Sequence, residues 1–180
     1  AFGVELRVSV VLAAESVQQL VQEIGTQLRE KTSETKLTVS DDISADEAEA
    51  LCVALRATGR RAVAIQGSVG IPDSVDELFT EFRKHFDRLD FLVSNAASGV
   101  LKPTVEMTLK HWRWCLETNA LALNLLTQRA LPLMTAGGRV IALSSLGAQR
   151  AMPGYGFIGA SKAALEALAR ALAQELGPRG

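Results

Sequence analysis

The chain has 180 residues, 48% of them hydrophobic and 22% charged, which is typical of one globular domain or one domain with a small appendage. Its formal net charge of -1 gives no basic surface for nucleic acid, and no apolar run is long enough for membrane insertion. We expect a cytoplasmic protein without a signal peptide. Cys52 and Cys115 are expected to be buried, reduced thiols, and no metal site is expected because His85 and His111 lack ligand-like spacing.

The first 43 residues predict one helix and a linker. Apolar residues recur at helical spacing from Val17 onward, and Ser16 precedes them as a cap. Residues 31–43 are polar and weakly patterned, which predicts a linker with a short strand near residues 37–39.

From residue 44 onward, predicted helices alternate with short strands. Ser44 with Glu47 and Ser74 with Glu77 form capping boxes, and Thr108 is the predicted cap of a long helix. The strands are apolar along their whole length and span residues 62–66, 90–94 and 139–144. The last two helices are predicted at residues 109–134 and 156–176. This alternation favours right-handed βαβ units and therefore an α/β fold built on a parallel sheet.

Small and polar residues follow the second and third of these strands. Asn95, Ala96 and Ala97 come after the second strand, and Ser145 comes after the third. Ligands of an open parallel sheet bind beyond the carboxyl ends of its strands, so we expect a ligand site at this edge.

Tyr155 and Lys162 stand seven positions apart near the start of the last helix. Because seven residues make two helical turns, the two side chains can face one site. A nearby ammonium stabilises a phenolate, so such a pair can donate a proton or stabilise an oxyanion near neutral pH.

At these residues the chain resembles the short-chain dehydrogenase/reductase family, whose fold is a Rossmann-type doubly wound parallel sheet. The resemblance covers about residues 45–180 and rests on four motifs that occur in the family's order. The first two are Asn95-Ala96-Ala97-Ser98, which resembles the family's Asn-Asn-Ala-Gly turn, and Asn119, which matches its mid-helix asparagine. The other two are Ser144-Ser145-Leu146-Gly147, which matches its serine motif after a strand, and ASKAAL, which matches the segment that holds its active-site lysine, here Lys162.

The spacing of the tyrosine and the lysine resembles that of the divergent enoyl-acyl-carrier-protein reductases. The usual family pattern places tyrosine four positions before lysine, where this chain has Ile158, whereas Tyr155 and Lys162 have six residues between them. The resemblance implies hydride transfer from NADPH, with NADH as the alternative, to the β-carbon of a 2-enoyl thioester. It implies a substrate carried by acyl carrier protein or coenzyme A, in fatty-acid or polyketide-type synthesis.

The resemblance also implies catalytic roles. Tyr155 would stabilise or protonate the enolate oxygen, and Lys162 would hold the nicotinamide ribose hydroxyls and bias the tyrosine electrostatically. Ser145 would line the substrate pocket, and Asn119 would bend its helix and order a water near Lys162. Structural alternatives stay open: Ser145 shapes only its turn, or Asn119 is a buried amide bonded to backbone.

Four further residues are expected near the cofactor by the same resemblance. Asn95, Ala96 and Ala97 would border it, although Asn95 could instead only cap the end of its strand. Ser68 stands at the position where the family commonly has an acidic residue that contacts adenine.

The family's opening strand, Gly-rich turn and helix have no counterpart in the sequence. Gly3, Gly25 and Gly59 do not approximate the turn that binds the cofactor pyrophosphate. The family also places two strands between its third and fourth strands, and segments 4–12 or 36–40 could fill part of that gap. We therefore expect an incomplete fold that also lacks the family's C-terminal part.

The first 30 or so residues resemble the second half of an acyl carrier domain, on Phe2 to Leu6, Val8 to Leu12 and Ser16 to Ile24. An ordinary amphipathic helix is the alternative. The predicted organisation is a possible carrier-domain remnant at residues 1–30, a linker at 31–43 and a partial reductase domain at 44–180.

Two other functions stay open. One is a ketoacyl or other carbonyl reductase on the same scaffold. The other is a truncated, non-catalytic fragment that only associates. In the family, helices equivalent to residues 109–134 and 155–176 build dimers and tetramers, so a homo-oligomer is expected.

Overall fold

The computed structural model describes residues 8–12, 36–40, 45–57, 59, 61–134 and 137–179. The strands are β1 Val8–Leu12, β2 Lys36–Ser40, β3 Val63–Gly67, β4 Phe91–Ser94 and β5 Arg139–Ala142. The helices are α1 Ala45–Ala57, α2 Pro72–Arg83, α3 Leu109–Leu116, α4 Ala122–Ala130 and α5 Gly156–Leu176. The predicted alternation of strands and helices is confirmed, and the fold is α/β.

The five strands form one sheet in the order β3-β1-β2-β4-β5. Strands β2, β4 and β5 pair in parallel, while β1 is antiparallel to both of its neighbours, β2 and β3. The three strands predicted from residue 44 onward, β3, β4 and β5, run in the same direction as expected, and β1 is the antiparallel member of the sheet. From β2 to β5, the described helices connect strands that run in the same direction, as expected of βαβ units.

The gap expected between the third and fourth strands of the family is filled by β1 and β2. Both segments named as candidates, 4–12 and 36–40, supply a strand, and the one predicted near residues 37–39 is confirmed as β2. The predicted helix from Val17, the Ser44 cap and most of the carrier-like segment lie outside the described residues. The division into three regions stays a prediction.

Helices α2 and α4 cover one face of the sheet and enclose the main core. Phe79, Phe82, Leu92 and Leu126 are all nearly or fully buried there. Helix α1 covers the other face, because neighbouring strand residues point to opposite sides and Ala64 of β3 packs with the cluster around Cys52. None of the helices within the described ranges is long and apolar enough to cross a bilayer.

Two predicted helix starts have different outcomes. Thr108 is the cap of α3, and its side chain accepts a hydrogen bond from the His111 backbone N–H. The capping box predicted at Ser74 is wrong, since α2 begins earlier, at Pro72, whose ring fixes a helical φ. The Ser74 hydroxyl instead accepts a hydrogen bond from the Ser68 N–H at 2.7 Å.

Truncation of Phe82 tests the core. Phe82 is fully buried between Phe79 and Phe86, with ring centroids 6.1 and 5.4 Å away. We expect Phe82→Ala to lower the free energy of unfolding by about 3–5 kcal/mol, measured by urea denaturation. The control Leu101→Ala removes a side chain that is 72% exposed and should change it by less than about 1 kcal/mol. Equal losses of unfolding free energy in the two variants would contradict the burial of Phe82 in the core.

The two thiols give a second test. Cys52 and Cys115 are both fully buried, and burial raises the pKa of each thiol above its ordinary value. Because the thiolate is the reactive form, we expect neither cysteine to react with a thiol reagent at pH about 8 in the native chain. Both should react in denaturant, and rapid reaction of either thiol in the native chain would contradict the structure.

Candidate active site

The loops after β4 and β5 start side by side at the carboxyl edge of the sheet. The N–H of Leu143, just beyond β5, donates to the carbonyl oxygen of Ser94 at the end of β4, at 3.1 Å. Asn95 follows directly and is half-buried. Ser68 follows β3, which β1 and β2 separate from β4, so it lies at a distance from these loops along the sheet.

Lys162 reaches this edge from the first part of α5. Its side chain is buried, and its Nζ donates a hydrogen bond of 2.7 Å to the carbonyl oxygen of Leu143. Since a buried ammonium is stable only with polar partners, this bond fixes where the positive charge stands. The charge lies at the carboxyl end of β5.

Asn119 ties the loop after β4 to the neighbouring helices. Its amide nitrogen donates to the Ser98 carbonyl oxygen and to Ser161 Oγ, each at 2.8 Å. Its Oδ1 accepts from the Ser98 N–H at 2.6 Å. The amide is buried and bonded to backbone, as the structural alternative described, and it also bonds the Ser161 side chain. The role in ordering a water near Lys162 stays a prediction.

The predicted long helix at residues 109–134 is interrupted where Asn119 stands. Helix α3 passes into a wider π-helical turn at Glu117–Leu121 before α4 begins. Such turns are frequent at functional sites, because they redirect one side chain without ending the helix.

Ser161 is a member of this network that the sequence interpretation did not single out. It is fully buried, accepts from Asn119 and donates from Oγ to the Ile158 carbonyl oxygen at 2.7 Å. A usable signal was present, since Ser161 shares the buried face of α5 with Ile158 and Leu165 at helical spacing. A hydroxyl on such a face needs a hydrogen-bond partner.

Tyr155 and Ser145 meet at the short turn Leu146–Ala148. Tyr155 precedes α5, is half-buried, and its ring lies against Gly147. Ser145 Oγ accepts from the Gly147 N–H at 3.2 Å, so its hydroxyl shapes the turn as one alternative expected. The structure thus places the phenol, this hydroxyl and the turn in one cluster.

Ile158 occupies the position where the usual family pattern has tyrosine. It is 9% exposed and packs against Gly99, where a Cβ would lie less than 3.0 Å from its side chain. Because Tyr155 is the only tyrosine of the chain, no other phenol can serve this site.

The small residues after β4 differ in orientation. Asn95 and Ala97 are half-buried, whereas the Ala96 side chain is 3% exposed and belongs to the main core. Only the backbone of Ala96 can therefore border a ligand. Within the part of the chain that the structure describes, no group of three His, Cys, Asp or Glu could hold a metal ion.

The fold and these motifs are those of a Rossmann-type α/β domain. Residues 24–180 match the model of the family described as "Enoyl-(Acyl carrier protein) reductase". The chain belongs to this family of short-chain dehydrogenases/reductases, which confirms the resemblance and the fold class expected from the sequence.

Two curated relatives show the range of the family. The chain is 36% identical over 137 residues to hydroxynaphthalene reductase of Aspergillus fumigatus, a match that covers 76% of this chain and 50% of that protein. It is also 36% identical over 137 residues to 1-cyclohexenylcarbonyl-CoA reductase of Streptomyces collinus, covering 76% and 49%. The chain spans about half the length of the curated relatives it matches.

Solved structures give the same fold. A short-chain dehydrogenase from Burkholderia cenocepacia in complex with NADP is 34% identical, with a TM-score of 0.73 and coverage of 78% of this chain and 58% of that one. An enoyl-(acyl-carrier-protein) reductase from Anaplasma phagocytophilum in complex with NAD is 32% identical, with a TM-score of 0.59 and coverage of 63% and 45%.

Removal of the Asn119 amide tests the network. Asn119→Ala leaves the Ser98 N–H, the Ser98 carbonyl and the Ser161 hydroxyl without this partner, and such unpaired buried groups are expensive. We expect a loss of about 3 kcal/mol in urea unfolding. The matched control Asn124→Ala removes a half-buried amide of α4 that does not hold Ser98 and should cost less than about 1 kcal/mol. A loss no larger than that of the control would contradict this role.

Proposed function

We propose that this chain belongs to an NAD(P)H-dependent reductase, and that the reaction is reduction of a 2-enoyl thioester. The observation that carries the proposal is the arrangement at the start of α5. Tyr155 stands before the helix, Lys162 is buried at the end of β5, and Ile158 fills the position between them with an apolar side chain.

The nicotinamide end of the cofactor fits the described residues. The Lys162 ammonium can hold ribose hydroxyls, and the loop Asn95 to Ala97 offers backbone without long side chains. NADPH is preferred, because the Burkholderia structure holds NADP, and NADH is the alternative, because the Anaplasma structure holds NAD. Ser68 is proposed on the adenine side. The cofactor pyrophosphate has fewer suitable residues in this sequence. The residues after β1 are AAES and those after β2 are DDIS, and neither segment contains the glycines of the family's pyrophosphate-binding turn.

The chemistry follows from where each group stands. A dihydronicotinamide bound beside Lys162 would supply the hydride that adds to the β-carbon of the thioester. The Tyr155 hydroxyl donates its proton to the thioester oxygen as negative charge develops there. The Lys162 ammonium stabilises the resulting phenolate electrostatically, and Ser145 lines the substrate pocket. Asn119 holds the loop after β4 in place through Ser98.

An acyl thioester is the proposed partner. The relatives include a reductase of a CoA thioester and a reductase named for acyl carrier protein. Both names support a CoA-bound or carrier-bound substrate, and the carrier-like residues 1–30 agree with a role in fatty-acid or polyketide-type synthesis. Association of copies through the helices at 109–134 and 155–176 is also proposed, and Leu109 and Trp112 are 64% and 42% exposed there.

Reduction of a ketone is the second candidate. The relatives also include a hydroxynaphthalene reductase and a landomycin C-6 ketoreductase that was solved with NADP and rabelomycin. The half-buried Ser145 hydroxyl beside Tyr155 favours this alternative, because it could donate to a ketone oxygen. Parallel assays with enoyl and ketoacyl thioesters decide between the two.

Substitution of Tyr155 by phenylalanine tests the mechanism. We expect Tyr155→Phe to lower kcat for enoyl thioester reduction by at least about 100-fold, because the proton donor is lost. NADPH oxidation followed by absorbance measures the rate. Binding of NADPH should stay within roughly twofold of wild type, because the ring itself is retained.

The matched control is Phe157→Tyr, which places a phenol two positions away and should not restore activity to Tyr155→Phe. Retained activity in Tyr155→Phe alone would remove Tyr155 from the mechanism. Absence of enoyl reduction in the wild-type chain, with ketoacyl reduction present, would favour the second candidate.

A further inference from the structure

Gly147 lies against the ring of Tyr155 with no room for a side chain. A Cβ at Gly147 would lie less than 3.0 Å from Cδ1 and Cε1 of Tyr155, which real Cβ atoms essentially never show. The positive φ that only glycine adopts easily is found, among the described glycines, at Gly59, Gly137 and Gly154. Gly147 is therefore needed for the close approach of the ring and not for its backbone conformation.

Gly159 of α5 lies against the backbone of the same turn. A Cβ there would lie 2.5 Å from the Gly147 carbonyl oxygen and 3.3 Å from its carbonyl carbon. Both are backbone atoms, so no flexible side chain can move aside. Glycine destabilises a helix interior relative to alanine, and its presence in α5 is explained by this contact.

The backbone of Tyr155 is held as firmly as its ring. The Gly159 N–H donates to the Tyr155 carbonyl oxygen at 2.7 Å, and the Tyr155 N–H donates to Met152 at 3.1 Å. Since a tyrosine side chain has only two main torsions, a fixed backbone and a ring resting on Gly147 together fix the phenolic oxygen.

We propose that Gly147 and Gly159 form a glycine seat that sets the position of the Tyr155 hydroxyl, which makes both of them positioning residues. The catalytic consequence rests on the proposed function, whereas the seat itself does not. Gly147→Ala should push the ring away from the Ser145 turn, and a hydroxyl displaced by about 1 Å loses much of its efficiency in proton transfer.

The test uses the single tyrosine of the chain. Incorporation of 3-fluorotyrosine gives a ¹⁹F signal that reports on Tyr155 alone. In the wild-type chain, we expect a signal well separated from its position in denaturant, with splitting or broadening from restricted ring rotation. A narrow signal at the denatured position would overturn the seat, and this measurement needs neither activity nor a stable variant.

The variants complete the test. Gly147→Ala should move the ¹⁹F signal toward the denatured position and lower kcat by about 10- to 100-fold, with the KM for NADPH within roughly twofold of wild type. The control Gly177→Ala adds a Cβ in open space at a helical φ of -50 and should change neither the ¹⁹F signal nor kcat.

An unchanged ¹⁹F signal in folded Gly147→Ala would overturn the proposal. A wild-type chain whose Tyr155 ring is restricted but which reduces no thioester would contradict the proposed function. It would not contradict the role of Gly147 and Gly159 in holding the ring.

Discussion

The structure depends on the side chain of Asn119, which lies where three separate parts of the chain meet. Its amide bonds both backbone groups of Ser98 after β4 and the hydroxyl of Ser161 in α5, while its own backbone belongs to the π-helical turn. All these groups are buried or partly buried, where hydrogen bonds are stronger than in water. The loop, the turn and the helix therefore have one relative placement.

The placement of α5 in this network also sets the positions of the proposed catalytic side chains. Ser161 precedes Lys162, so the network that holds Ser161 also orients the helix that brings the ammonium to Leu143. Two turns before Lys162, Tyr155 precedes the first residue of the same helix, and its ring lies on the glycine seat. Preorganised groups of this kind need no rearrangement when charge develops on a substrate, which is the main way in which proteins stabilise such charge.

The sequence predicted what depends on local patterns. The extent of α5, the Thr108 cap and the strand positions follow from periodicity and capping, and the motifs placed Tyr155 and Lys162 at the start of α5. The antiparallel β1, the hydrogen bond of Ser74 and the link between Asn119 and Ser161 depend on residues far apart in the chain. Local patterns hold no information on such pairs, although the buried position of Ser161 could have been suspected from its helical neighbours.

The proposed mechanism requires a nicotinamide cofactor site at these residues, and titration of the purified chain with NADPH tests for that site. Trp112 packs edge-to-face on Phe157 of α5, with centroids 5.2 Å apart, so tryptophan emission reports on this helix. The account predicts saturable binding in the micromolar range, about -8 kcal/mol, that is lost in Lys162→Ala. A folded wild-type chain whose emission shows no saturable response, or whose binding is unaffected by Lys162→Ala, would contradict it.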